Sequence, residues 1–87
     1  MENLSVKLAN GKTAVKWTTK ERPSVNHWYM LRREMDYWKI LKDFHSPETN
    51  ITYYKIVEYY NGDIIFCGKT LAQIREIMRD FTYRMVI

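Results

Sequence analysis

The chain has 87 residues, of which 46% are hydrophobic and 28% are charged, and its net charge is +4 at neutral pH. This length and composition predict one globular domain over residues 1–87 with a single modest core. They exclude a disulfide scaffold, since there is one cysteine, and a membrane span, since no apolar run approaches about 20 residues. The start of the chain lacks the pattern of a secretory signal, so we expect a cytoplasmic location.

The first predicted element is a β-hairpin formed by residues 4–9 and 12–17. Asn10-Gly11 lies between them and is suited to the positive φ angles of a two-residue type I′ turn. That turn would set Leu8 opposite Thr13. Because side chains alternate along a strand, this register predicts one apolar face and one wet, basic face. The basic face carries Lys7, Lys12 and Lys16.

The second predicted element is a long helix that follows the polar connection over residues 18–26 and ends near Phe44. At 100° per residue, its apolar side chains form one stripe, which consists of Trp28, Leu31, Met35 and Trp38. Further apolar residues extend around the helix, over more of its circumference than one sheet could cover. The surplus apolar face predicts a binding partner, which could be a second copy of the chain.

The next predicted element is a hairpin of residues 51–60 and 63–69 that turns at Asn61-Gly62. A two-residue turn there would set Tyr59 opposite Ile64. Both faces of these strands carry apolar side chains, which is typical of strands in the interior of a sheet or covered on both faces.

The last predicted element is a helix that begins at Thr70. Thr70 and Gln73 have the spacing of a capping box, in which each residue satisfies a free backbone amide of the other. The inward stripe of this helix is predicted to be Leu71, Ile74, Met78 and Phe81. The elements together predict an α+β fold of order ββαββα, in which two Asn-Gly hairpins are each followed by a helix. The hairpins would form an antiparallel sheet with the helices packed on one face.

The sequence offers little for catalysis, so we expect no enzyme and no catalytic, cofactor-binding or metal-binding residue. His27 and His45 would lie at opposite ends of the predicted first helix, about 27 Å apart. Cys67 is predicted to face inward beside Ile56 as a buried, inert thiol. Gly68-Lys69-Thr70 resembles the end of a phosphate-binding loop, but the upstream glycine of that motif is absent, since position 63 is aspartate.

The excess of positive charge lies in the first half of the chain. Residues 1–45 hold nine Lys and Arg against five Asp and Glu, a difference of +4, whereas residues 46–87 hold five of each. The predicted basic surface consists of Lys7, Lys12, Lys16, Lys20 and Arg22. Such a surface either protects a sheet edge from aggregation or binds phosphates or acidic side chains.

The second binding signal is the aromatic content, with seven tyrosines and three tryptophans in 87 residues. The tryptophans lie on predicted apolar faces, which favours a role in the core. The tyrosines that are hardest to bury together are Tyr29, Tyr37, Tyr54 and Tyr60. Partly exposed tyrosines are typical of protein interfaces, and they also stack on bases in nucleic-acid complexes.

In its small size, single domain, tyrosine content and lack of a catalytic set, the chain resembles accessory proteins of bacteriophages and mobile elements. The missing catalytic set and the tyrosine-rich and basic surfaces predict a non-enzymatic protein-binding module, an inhibitor or adaptor that docks through these surfaces. The resemblance implies that its target is a host protein, either a component of a defence system or a housekeeping protein. The basic and tyrosine-rich surfaces predict a protein partner with an acidic surface. The alternatives are a nucleic-acid-binding protein that uses the lysines and aromatic stacking, and a structural homodimer formed through the first helix.

Overall fold

The computed structural model describes residues 4–84, and its secondary structure consists of seven β-strands and one α-helix. Its elements in chain order are β1 (Ser5–Lys7), β2 (Thr13–Lys16), β3 (Trp28–Met30), β4 (Tyr37–Ser46), β5 (Ile51–Glu58), β6 (Ile64–Lys69), α1 (Leu71–Phe81) and β7 (Tyr83–Arg84). The strands form two antiparallel sheets with the orders β1-β2-β7 and β3-β4-β5-β6. The predicted ββαββα fold is therefore wrong, because strands occupy the segment of the first predicted helix.

The segment predicted as the first helix forms β3, a turn and β4. Glu34, in that turn, has a φ of 63°, a left-handed conformation that an α-helix does not contain. Along β4, Trp38 and Ile40 are buried while Tyr37 and Lys39 are half-buried, which is the period of two expected for a strand. β4 pairs with β5 along nearly its whole length. This pairing overrides the helical period that the same residues also show.

The main core lies between the four-stranded sheet and α1. Ile74 and Met78 of α1 are fully buried against residues of β3, β4 and β5. At the start of α1, the Thr70 side chain accepts from the Gln73 N–H, and the Gln73 side chain accepts from the Thr70 N–H. The predicted capping box is therefore confirmed. Phe81 was predicted to face inward, but it lies at the end of α1 and is exposed.

The first hairpin forms at Asn10-Gly11, but its turn is longer than predicted. The Leu8 carbonyl accepts from the Gly11 N–H at 3.0 Å, and the Leu8 N–H donates to the Lys12 carbonyl at 2.8 Å. With Gly11 at a φ of 85°, this is a longer loop with a left-handed glycine, not the two-residue type I′ turn. Val6 consequently pairs with Ala14, one residue away from the predicted register.

This shift of one residue exchanges the two faces of β2. Lys16 lies on the same face as Ala14 and Val6, whereas Lys7, which pairs with Thr13, lies on the other face. The predicted basic face that joined Lys7 and Lys16 is therefore wrong.

The turn of the second hairpin is also longer than predicted and consists of the four residues 59–62. The Glu58 carbonyl accepts from the Gly62 N–H at 3.1 Å, and the register of the strands shifts twice along their length. β5 is an interior strand of its sheet, as its apolar faces predicted, while β6 lies at the edge. Phe66 pairs with Ile56 on the core side, which leaves Cys67 exposed, so the predicted buried thiol is wrong.

The segment after α1 connects the two sheets. Thr82 forms a β-bridge with Leu31, and Tyr83 pairs with Lys16 in the three-stranded sheet. The Thr82 hydroxyl accepts from the Trp17 indole N–H at 3.0 Å and donates to the Met78 carbonyl at 2.5 Å. The last three residues, 85–87, lie outside the described part of the chain. Within residues 4–84, no helix combines the length and apolar character that a bilayer span requires.

Replacing Thr82 with valine keeps the shape of the side chain and removes its hydroxyl. The indole N–H of Trp17 then loses its acceptor, and we expect the free energy of unfolding to fall by about 1–3 kcal/mol. Urea unfolding measures this change, with Thr49→Val in an exposed turn as the matched control. Equal unfolding free energies for the two variants would contradict the role of Thr82 at this junction.

Candidate functional site

The four-stranded sheet has a second face, opposite α1, that carries large apolar side chains. Cross-strand pairing sets Trp28, Lys39, Val57 and Ile64 in one row across all four strands. Phe44, Tyr59 and Ile64 on this side are 49%, 51% and 57% exposed. We call this surface the open face, and it consists of Trp28, Tyr37, Lys39, Leu41, Phe44, Tyr53, Lys55, Val57, Tyr59 and Ile64.

The aromatic rings of the open face contact one another in two groups. Tyr59 packs edge to face against Trp28 and Tyr37, with ring centroids 5.0 and 5.6 Å apart. Farther along the sheet, Phe44 stacks on Tyr53 at 4.9 Å. Ring pairs of this kind stabilise one another, and aromatic side chains have few rotatable bonds to immobilise on binding. The open face is therefore an ordered surface before any partner arrives.

Both charged residues of the open face are lysines. The Lys39 ammonium lies 4.6 Å from the centroid of the Trp28 ring, a cation–π contact that holds it within the aromatic group. Lys55 pairs with Leu41 and is half-buried. The carboxylate of Glu58, on the same strand as Lys55, is buried on the core side and accepts from the Asn61 N–H. The open face thus combines apolar surface with positive charge.

The four predicted tyrosines divide between the two faces of the sheet. Tyr29 is buried on the core side, and its hydroxyl accepts from the Ser24 N–H at 2.9 Å. Tyr54 packs against the same core. Tyr37 belongs to the open face, and Tyr60 adjoins it, since its ring contacts Tyr59 at 5.1 Å. Tyr29 is therefore unavailable to a partner, while Tyr37 and Tyr60 are available.

The predicted basic residues do not form one surface. Lys7 and Lys12 are exposed in the first hairpin, whereas Lys16 is half-buried on the opposite face from Lys7. Lys12 lines a pocket of about 230 Å³ together with Tyr37, so it borders the open face. Lys20 and Arg22 are exposed in the loop after β2.

The sequence prediction missed the half of the open face that lies in residues 28–44, because it treated that segment as a helix. Trp28 and Lys39 are eleven positions apart, and only the β3–β4 pairing makes them neighbours. The sequence signal for a strand there was the group of aromatic and β-branched residues Tyr37, Trp38 and Ile40. Tyr59 was predicted to lie in a strand, but it lies in the longer hairpin turn, directly after the end of β5.

The residues that were considered for catalysis lie in different elements from those predicted. His27 precedes β3 and His45 lies on β4, so the predicted separation along one helix does not apply. The His45 ring nitrogen Nδ1 lies 2.9 Å from the Thr52 hydroxyl. In the part of the chain that the structure describes, no three His, Cys, Asp or Glu side chains are grouped to hold a metal ion.

Comparison of the chain with protein-family models, with curated proteins and with solved structures found no match.

The two tyrosines Tyr29 and Tyr60 offer a direct test of these assignments. Tyr29→Phe removes a buried hydroxyl that accepts a backbone hydrogen bond, and we expect it to lower the free energy of unfolding by about 1 kcal/mol. Tyr60→Phe changes an exposed turn position and should alter stability by less than about 0.5 kcal/mol. Chemical unfolding of both variants measures the difference. A larger loss for Tyr60→Phe than for Tyr29→Phe would reverse the two assignments.

Proposed function

We propose that the chain is a non-enzymatic protein-binding module that docks through the open face and acts as an inhibitor or adaptor. The observation that carries this proposal is the row of Trp28, Lys39, Val57 and Ile64 across all four strands, in which Ile64 is exposed and the other three are half-buried, together with the exposed Phe44 and Tyr59 beside it. Large contiguous apolar patches on folded proteins mark interaction sites. Tryptophan and tyrosine, both present here, are the residues that most often dominate binding energy at such sites.

The chemistry of the open face indicates the chemistry of its partner. Lys39 and Lys55 are its charged groups, and both lie among apolar side chains. A complementary surface presents carboxylates surrounded by apolar residues, because an unmatched lysine would lose water without gaining an ion pair. The proposed partner is therefore a protein with an acidic and partly apolar surface.

The same charges argue against a second copy of the chain on this face. Two open faces in contact would bring Lys39 and Lys55 of each copy toward lysines of the other, and like charges in an interface are unfavourable. The earlier basis for a homodimer, an apolar surplus on the first helix, disappears because that segment is not a helix. A different protein is thus the better occupant.

Nucleic acid is the weaker candidate for the open face. Base stacking needs accessible ring faces, whereas Tyr59 makes edge contacts with its neighbours and the Lys39 ammonium lies over the Trp28 ring. Val57 and Ile64, in the same row, offer packing surface but no ring on which a base could stack.

The class of partner follows from the resemblance to accessory proteins of bacteriophages and mobile elements. That resemblance implies a host protein in the cytoplasm, such as a component of a defence system. The free and exposed Cys67 fits a reducing compartment. The small size of the chain suits an inhibitor that covers a surface of its target.

Substitutions on the open face test this proposal, and substitutions of exposed apolar residues outside the open face are the control. Tyr59→Ser with Ile64→Ser removes two exposed contacts, and we expect the affinity for the partner to fall at least about tenfold. The control is Met35→Ser with Phe81→Ser, two residues that are 76% and 52% exposed and do not belong to the open face. The partner is the protein that the immobilised parent chain captures in equimolar amount, and calorimetry measures its affinity for each variant.

Charge reversal tests the acidic character of the partner in the same assay. Lys39→Glu with Lys55→Glu should weaken binding at least as strongly, whereas Lys7→Glu with Lys42→Glu makes the same charge change off the open face and should have little effect. Two results would contradict docking through the open face: an equal loss of affinity in the test and control variants, or a loss of binding only in the variant with Met35 and Phe81 replaced.

A further inference from the structure

A cleft beside α1 is lined by three arginines. It has a volume of about 280 Å³ and lies between α1 and the loop that follows β2, with Thr19, Arg22, Ala72, Arg75 and Arg79 around it. Arg75 and Arg79 are four residues apart on α1, so they lie side by side on one flank of the helix. Arg22 reaches the cleft from the loop.

These guanidinium groups have no acidic partner within the described residues. The ion pair that forms among residues 4–84 joins Arg84 to Glu21 at 2.8 Å. No carboxylate of these residues lies within ion-pair distance of the three cleft arginines. Glu76 and Asp80, the acidic residues of α1, line a different pocket on another part of the helix. Three like charges around one cleft repel one another, and an anion between them would relieve that repulsion.

Two hydrogen bonds position the arginines of this region. The Arg75 Nε donates to the carbonyl of the buried Pro23 at 3.2 Å, which fixes the side chain at the wall of the cleft. Arg32 donates to the Arg79 carbonyl at 2.8 Å and so adds a fourth guanidinium at the C-terminal end of α1. Cations at a helix C-terminus complement the helix dipole, which accounts for Arg32 and Arg79. It does not account for Arg22 and Arg75.

We propose that this cleft binds phosphate groups of a nucleic-acid backbone. The planar guanidinium matches the oxygens of phosphate in a two-pronged hydrogen bond, and arginine is the preferred residue for such contacts. Three guanidinium groups from two elements, Arg22 of the loop and Arg75 and Arg79 of α1, can contact successive phosphates of one chain. The residues around the cleft include no aromatic ring, so the contacts are to the backbone, with little preference for base sequence.

The proposal is independent of protein docking at the open face. The cleft lies on the helix side of the four-stranded sheet, and the open face lies on the other side. It also differs from the lysine hairpin predicted from the sequence, because Arg22 is the one predicted basic residue among those that line it.

The test is fluorescence anisotropy of the full chain with labelled 20-nucleotide single strands and duplexes of mixed sequence. For three phosphate contacts, the affinity should fall about 20- to 40-fold between 50 and 200 mM salt. Arg22→Gln with Arg79→Gln should weaken binding at least about tenfold and reduce the salt slope by about 1 for each arginine removed. Neither side chain makes a hydrogen bond within residues 4–84, so this variant should fold; its unfolding midpoint verifies that.

The control variant is Lys7→Gln with Lys12→Gln, which removes the same charge from exposed positions of the first hairpin. We expect it to retain binding within about threefold. Three results would overturn the proposal: no salt-dependent binding by the parent chain, equal losses for the arginine and lysine variants, or tighter binding of a phosphoserine peptide than of either nucleic acid.

Discussion

One helix of eleven residues covers one face of a four-stranded sheet, and the arrangement of the molecule depends on this constraint. Ile74 and Met78 are fully buried because they pack against β5, the interior strand to which β4 and β6 are both paired. Burial of this kind provides most of the stability of a small domain. The three-stranded sheet attaches at the side, through Thr82, and the molecule is only 18 Å thick. The opposite face of the large sheet is consequently left to solvent.

The two sides of the four-stranded sheet therefore carry different kinds of side chains. The open face presents aromatic and aliphatic side chains with Lys39 and Lys55 among them, which suits a protein surface that offers carboxylates. The helix side presents guanidinium groups around a cleft, which suits phosphate. Because the two surfaces lie on opposite sides of one sheet, the chain could hold a protein and a nucleic acid together without competition between them.

The features predicted correctly from the sequence are those that local residues determine. The capping box at Thr70 depends on a spacing of three residues, and both hairpins occur at their Asn-Gly pairs. The first helix was wrong because Trp28, Leu31, Met35 and Trp38 recur at a helical period, whereas the pairing of β4 with β3 and β5 decides the structure of this segment. The register was wrong because residues before each Asn-Gly pair joined the turns, and in the first hairpin this placed Lys7 and Lys16 on opposite faces.

Hydroxyl-radical footprinting of the free chain and of its complex with the captured partner tests the central claim most directly. Docking through the open face predicts that Phe44, Tyr59 and Ile64 react in the free chain and become protected in the complex, while Met35 and Phe81 react equally in both. Protection of Met35 and Phe81 with unchanged reactivity at Tyr59 and Ile64 would contradict the account, since the partner would then occupy a different surface.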